Sequence, residues 1–499
     1  MKVLAIVACA SWIKRCCRRV MEQTPTSSAN RQHWTTHLND VRWKFQQLSD
    51  HFSVLEDRFQ RRIGIEVLRY LDDLISRVEH NAFYIKQEFA MLCLFLMRSV
   101  MFRPISCINI EAMTSKFSKE AAVLSIHRLE GLVFLRLPND ASFAAFSAVV
   151  ADSIKYLPLL KNFLNNLNCT DDILDELSNS CPQIELINVR YSKKVTNKCV
   201  LGILKMRNLK HVDLCGTSVS RERYQFIVQF KVDVENICWR KGVSKIIDNV
   251  SIIRLRNIVS CNILVEGQAV LKTVQDRCPR IQSLVLTARF LPVSGHLTSM
   301  RSLTHLSLQD IDYQKMDVSC ISQEIWQKLK VLSLKAIVQL KMSDIISNCV
   351  NLCSLEIENC LLAPEVTITK SMHFQSLKEL ILVNTTECPP YYNNLYRYEN
   401  LKEVYFEKIK PFDDSYFHEM FHCGAFRNLQ RFMARKCGDL GIDTALALLK
   451  HCPRLEEIGC LRSWLGISSR DIATIVTTIK RNNYAVTVMH WFSRPHYFD

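Results

Sequence analysis

One pattern of apolar positions, φxxφxφ with φ an apolar residue, recurs along most of the chain. From residue 281 onward its first apolar position falls at 281, 303, 329, 352, 377, 401, 429 and 455, in steps of 22, 26, 23, 25, 24, 28 and 26 residues. Earlier copies start at 132, 157, 184 and 209. Units this short cannot bury an apolar face alone, so we expect neighbouring units to stack around one continuous core.

This period is typical of a leucine-rich repeat, in which each unit supplies one short parallel strand and one helix. Several copies carry Cys-Pro before the strand and Cys after it, most clearly in residues 437–460. These copies resemble the cysteine-containing repeats of F-box/leucine-rich-repeat proteins. The predicted fold class is α/β: a leucine-rich-repeat solenoid, with a curved parallel sheet and outer helices, preceded by a small all-α module.

The domain organisation follows from where the pattern starts and stops. We expect a poorly ordered leader and linker at 1–30, a helical module at 31–110, the repeats at 111–463 and a C-terminal cap at 464–499. The apolar run at 3–13 is a marginal secretory signal, which is the alternative for the leader. Between 215 and 250 the frame is irregular: candidate copies start at 234 and 250, only 16 residues apart, so one of the two is not a true unit.

Within the helical module, residues 63–78 and a second apolar helix at 84–102 resemble an F-box. The resemblance implies docking on the Skp1 adaptor of a cullin ubiquitin ligase. The matching positions are Glu66, Val67, Leu68, Tyr70, Leu71 and Leu74. The Leu-Pro opening and the later Trp of that family are absent, so a helical cap over the first repeat is the alternative. A third interpretation is that Leu92-Cys93 resembles the box by which other repeat proteins join elongin-type ligases.

Composition narrows the function classes. Apolar residues are 48% of the 499, charged residues are 23%, and the 12 glycines form no phosphate-binding loop of the GxGxxG or GxxxxGK[ST] type. The net charge is +15, but no long Lys/Arg tract occurs, so we expect no dedicated nucleic-acid binding. The 21 cysteines include no CxxC, which favours a reducing compartment, cytoplasmic or nuclear. We expect no cofactor, no small-molecule ligand and no membrane partner.

Residues His418 to His422 spell HExxH, the motif of zinc peptidases. A catalytic zinc needs a third protein ligand, which Glu456 or Glu457 of the following unit would have to supply. The motif falls inside the repeat frame, at a place where Phe417 and its apolar neighbours are needed for packing. We therefore expect no metal and no catalysis, and a zinc metallopeptidase is the minor alternative.

Side chains alternate along a strand, so the residues flanking the second apolar position face away from the core, onto the concave surface. Read along the repeats, they give an acidic belt between basic ends, and such a pattern selects and orients protein partners. The candidate partner-binding residues are Arg190, Asp213, Arg254, Arg256, Glu356, Glu358, Glu379, Glu403, Tyr405, Glu407, Arg431 and Arg435.

The predicted function is a noncatalytic protein-binding receptor with its protein ligand on the concave face. The family resemblance implies that it is the substrate-recognition subunit of a Skp1–cullin-type ubiquitin ligase. The alternative is a leucine-rich-repeat scaffold or inhibitor-like protein without ligase attachment.

Overall fold

The computed structural model describes residues 2–23, 31–79, 86–231, 234–239, 243–251, 255, 258–264, 268–287, 297, 300–311, 322–363, 374–385 and 397–489. The chain divides into two compact units, Met1–Val234 and Glu235–Asp499, here called unit 1 and unit 2. In the part of the chain that is described, no helix is both long and apolar enough to cross a membrane.

The first described part of unit 1 is a set of helices. They are α1 Lys2–Glu22, α2 Arg31–Ser53, α3 Asp57–Val78, α4 Lys86–Arg98 and α5 Lys116–Val123. Helix α1 packs on α3 because its apolar side chains recur at helical spacing, and Ile13 and Cys17 are fully buried. Residues 2–22 of the predicted leader thus form helix α1, and the linker at 24–30 lies outside the described residues.

The rest of unit 1 is a five-stranded parallel sheet in chain order. Its strands are β1 Cys107–Asn109, β2 Phe134–Arg136, β3 Asn162–Leu164, β4 Leu186–Asn188 and β5 His211–Asp213. Its helices are α6 Ser147–Ile154, α7 Asp171–Ser180, α8 Cys199–Lys205 and α9 Arg221–Phe230. Phe163 is in register with Ile187, so the φxxφxφ pattern of the repeat that supplies β3 begins at Leu160 and not at the predicted Leu157.

Unit 2 contains an eleven-stranded sheet, parallel throughout and in chain order. Its strands are β6 Asn236–Trp239, β7 Ser260–Leu264, β8 Ser283–Thr287, β9 His305–Gln309, β10 Val331–Lys335, β12 Ser354–Glu358, β14 Glu379–Val383, β15 Glu403–Glu407, β16 Arg431–Arg435, β17 Glu457–Gly459 and β18 Thr487–Met489. Strands β11 Val338–Leu340 and β13 Leu361–Leu362 form a separate parallel pair. Among the described residues of unit 2, the α-helices are α10 Val243–Asn249, α11 Gln268–Arg277, α12 Gln323–Lys328, α13 Met342–Asn348, α14 Asp414–His422, α15 Ile442–His451 and α16 Ser469–Arg481.

Strands β6 and β7 show which of the candidate copies in the irregular stretch at 215–250 are true repeats. The copy that starts at Val234 is a true unit, because it supplies β6. The next strand is Ser260–Leu264, whose first apolar position is Ile258 and not Val250. Arg254 and Arg256, which the prediction had placed on a strand of the 250 copy, lie outside the described residues.

The core of unit 2 is a row of apolar side chains in register on successive strands. Leu332, Leu355 and Leu380 are neighbours in this row, and all three are fully buried. The Cys-Pro cysteines lie under the helix ends, where burial raises the pKa of Cys278 and of Cys452 to about 12. They are small packing residues, as a thiol in an apolar setting should be.

Side-chain hydrogen bonds of asparagine also link successive repeats. Asn351 donates its side-chain amide to the backbone carbonyl of Gln327, 2.8 Å away, and Asn400 donates to that of Gln375, 2.7 Å away. Each asparagine directly precedes the first apolar position of its unit. The amide thus satisfies a carbonyl of the preceding unit that no helix or strand partner reaches.

Candidate interaction surface

Strand residues of unit 2 that alternate with the core positions form rows across the other side of the sheet. The central row contains Val285, Ser307, Ser333, Glu356, Ile381, Tyr405, Met433 and Gly459, each in register with the next. We call this row and the residues on either side of it within each strand the solvent-side face; the central row itself is buried, and the side chains that reach solvent belong to flanking residues such as Arg431 and Arg435.

An apolar patch lies in the solvent-side face. Ile381, Val383, Tyr405 and Met433 pack together, and each is at most 8% exposed. Gly459 continues the row, and a Cβ added there would lie 1.9 Å from Met433 Sδ, so glycine leaves the room that this methionine occupies. Sequence reasoning identified Tyr405 but missed its three companions, whose alternating strand positions were the available signal.

Acid–base pairs border this patch. Arg431 forms an ion pair with Glu403, and Arg435 Nη1 lies 3.7 Å from Glu407 Oε1. The hydroxyl of Tyr405 donates to Glu407 at 2.6 Å. Burial, followed by this carboxylate, raises the pKa of the Tyr405 hydroxyl well above its usual value.

The predicted acidic belt continues on the neighbouring strands, where its carboxylates also pair with residues of the same face. Lys335 Nζ lies 3.5 Å from Glu356 and 3.6 Å from Glu358. Glu379 accepts the hydroxyl of Ser354 at 2.6 Å. The carboxylates of the belt are thus held by ion pairs and a hydrogen bond with residues of the same face.

The two candidate residues in unit 1 also pair with each other. Arg190 follows β4 and forms an ion pair with Asp213 at the end of β5. Asp213 is in addition the acceptor for the backbone amide of Cys215, at 2.9 Å. This pair links two successive repeats.

The six candidate adaptor residues lie on α3, and most of them are inaccessible. Val67, Leu68, Leu71 and Leu74 are buried in the helical module. Glu66 pairs with Lys14 of α1 at 2.6 Å, and the Tyr70 hydroxyl accepts from Arg18 Nε at 3.1 Å.

Leu92 and Cys93 of α4, the elongin-type candidates, are fully buried as well. Helix α1 thus contacts two of the six residues that the F-box resemblance selects, Glu66 and Tyr70.

The HExxH motif lies on α14. Phe417, Met420 and Phe421 are buried, while both histidines are exposed. The Nε2 atoms of His418 and His422 are 3.1 Å apart. Glu457 belongs to strand β17 and Glu456 directly precedes it, so both are on the strand segment of the following repeat and not on its helix.

These repeated strands and helices define a leucine-rich-repeat fold. No family model and no curated protein matches the chain. The solved structures that resemble it include the yeast complex of Rad7 and Elc1, at 16% identity and a TM-score of 0.43, covering 75% of this chain and 93% of that chain. An internalin of Listeria monocytogenes is 14% identical with a TM-score of 0.33, and the match covers 74% of this chain and 83% of that chain. A leucine-rich-repeat protein of Leptospira interrogans is 13% identical with a TM-score of 0.31, and the match covers 79% of this chain and 91% of that chain.

Proposed function

We propose that this protein is a noncatalytic receptor that holds a protein ligand on the solvent-side face of unit 2. The observation that carries the proposal is the border of ion pairs on this face, where the side chains of Arg431 and Arg435 are 40% and 51% exposed, while the apolar residues that they border are buried. Arg is enriched in protein interfaces, and a pattern of paired charges selects and orients a partner.

We further propose that the receptor delivers its ligand to a Skp1–cullin-type ubiquitin ligase through the helical module. The resemblance of residues 63–78 to an F-box supports this step. Cytoplasmic or nuclear location fits the reduced, mostly buried cysteines among the described residues. The second candidate function is a scaffold without ligase attachment, and the contacts of Lys14 and Arg18 over Glu66 and Tyr70 favour it.

Purified full-length protein mixed with purified Skp1–cullin complex separates these functions by size-exclusion chromatography. The ligase hypothesis predicts a stoichiometric complex that is lost in Tyr70→Ala and kept in Arg62→Ala, which alters an exposed residue of the same helix. A complex with an elongin-type adaptor instead would support the Leu92-Cys93 hypothesis. Binding to neither adaptor by a folded protein would leave the scaffold.

A further inference from the structure

We propose that His418 and His422 form a binding site for one divalent transition-metal ion on the exposed face of α14. The two imidazoles are one helical turn apart, both side chains are exposed, and their rings meet at 89° with centroids 4.5 Å apart. Imidazole nitrogen suits Zn²⁺, Ni²⁺ and Cu²⁺.

The distance between the two Nε2 atoms fits chelation. Nitrogen ligands lie about 2.0–2.1 Å from zinc, so two of them are about 2.9 Å apart at a right angle and about 3.3 Å apart at a tetrahedral angle. The observed separation of 3.1 Å lies between these values. An ion placed between the two nitrogens would replace a contact in which one ring donates to the other.

The helix holds this geometry in place. Asp413 caps its first turn by accepting from the Tyr416 amide at 2.8 Å. Asp414 accepts from the Gly441 amide of the following repeat at 2.8 Å. Phe417 is fully buried on the opposite side of α14. A ligand pair on a helix anchored in this way loses little conformational entropy when the ion binds.

This site differs from a peptidase centre, because two histidines are its protein ligands and water completes the coordination shell. His451 of α15 is close by, but its ring is stacked on Phe421 with centroids 5.7 Å apart and an interplanar angle of 12°. We assign it no ligand role.

A calorimetric titration of the full-length protein with Ni²⁺ alone tests the site. Wild-type protein should bind one Ni²⁺ that His418→Ala and His422→Ala each weaken at least about tenfold, the loss that even an outer-shell change can cause. The double variant supplies the background from other histidines and cysteines. Thermal unfolding without metal should be unchanged in these exposed-site variants, while Ni²⁺ should raise the Tm of the wild type more than that of the double variant.

The chain offers a matched control in α2, where His33 and His37 have the same spacing but the Nε2 atom of His37 is buried. His37→Ala and His451→Ala should both leave Ni²⁺ affinity within about twofold of wild type. Equal affinity in wild type and His418→Ala would overturn the site. A loss in His451→Ala as large as in His418→Ala would overturn the two-ligand assignment.

Discussion

Tyr405 donates its hydroxyl to Glu407 two residues further along the same strand, at 2.6 Å. The acceptor carboxylate also pairs with Arg435. The bond joins the buried apolar patch to its charged border, and therefore fixes the orientation of the Tyr405 ring.

Tyr405→Phe removes this bond and leaves the ring in place. The free energy of unfolding should fall by about 1.5–3 kcal/mol, the net value of a hydrogen bond to a charged group. Urea denaturation measures the change. Tyr484 is 40% exposed, so Tyr484→Phe should change the value by less than about 0.5 kcal/mol. Equal effects of the two substitutions would show that the bond to Glu407 contributes nothing.

Alkaline pH should reduce the contribution of Tyr405. Its pKa is raised in the folded protein, whereas the unfolded side chain ionises near about pH 10. The folded state therefore holds more protons above that pH, and stability falls as pH rises. The difference in unfolding free energy between wild type and Tyr405→Phe should be smaller at about pH 11 than at about pH 9. A difference that stays constant would contradict the raised pKa.

Lys335 holds two carboxylates that are largely buried, since the side chains of Glu356 and Glu358 are 10% and 22% exposed. Lys335→Met should lower the unfolding free energy by about 1–2 kcal/mol, less than for a fully buried pair because water still reaches the site. Lys328→Met removes an exposed pair with Glu324 and should cost less than about 0.5 kcal/mol. Denaturant titrations of the two variants show whether the loss of stability depends on burial of the ion pair or only on the removal of a lysine charge.

Helix α1 should be part of the folded module and not a dispensable leader. Ile13 is fully buried and its neighbour Trp12 is 50% exposed. Ile13→Ala should destabilise unit 1 by about 2–4 kcal/mol, because it leaves a cavity between α1 and α3. Arg15→Ala, at an exposed position of the same helix, is the control, with an expected change below about 0.5 kcal/mol. Hydrogen exchange of α3 measures both, and unchanged protection in Ile13→Ala would contradict the packing.

The strand positions from 281 onward could be predicted, because aliphatic residues at φxxφxφ spacing have no other way to be buried together. The pattern gave the wrong repeat start where the residue types did not mark the apolar positions uniquely. At 157–160 apolar residues occupy both candidate starts, and in β7 a cysteine, Cys261, takes the second apolar position.

Contacts that join distant residues could not be predicted at all. The pair of Lys14 with Glu66 spans 52 residues, and the basic residues of α1 concealed its apolar stripe. The apolar patch was missed for a similar reason, because Ile381 and Met433 stand at positions that usually carry polar side chains. Their contact becomes visible once three strands are in register.

Site-specific photocrosslinking in cells tests most directly whether the solvent-side face of unit 2 binds a protein. Benzoylphenylalanine would replace Arg435, whose side chain is 51% exposed at the border of the face, and, as a control, the exposed Glu419 on α14. The receptor hypothesis predicts that the probe at 435 crosslinks one discrete protein and that the probe at 419 does not. No crosslink at 435, or the same products from both positions, would contradict it.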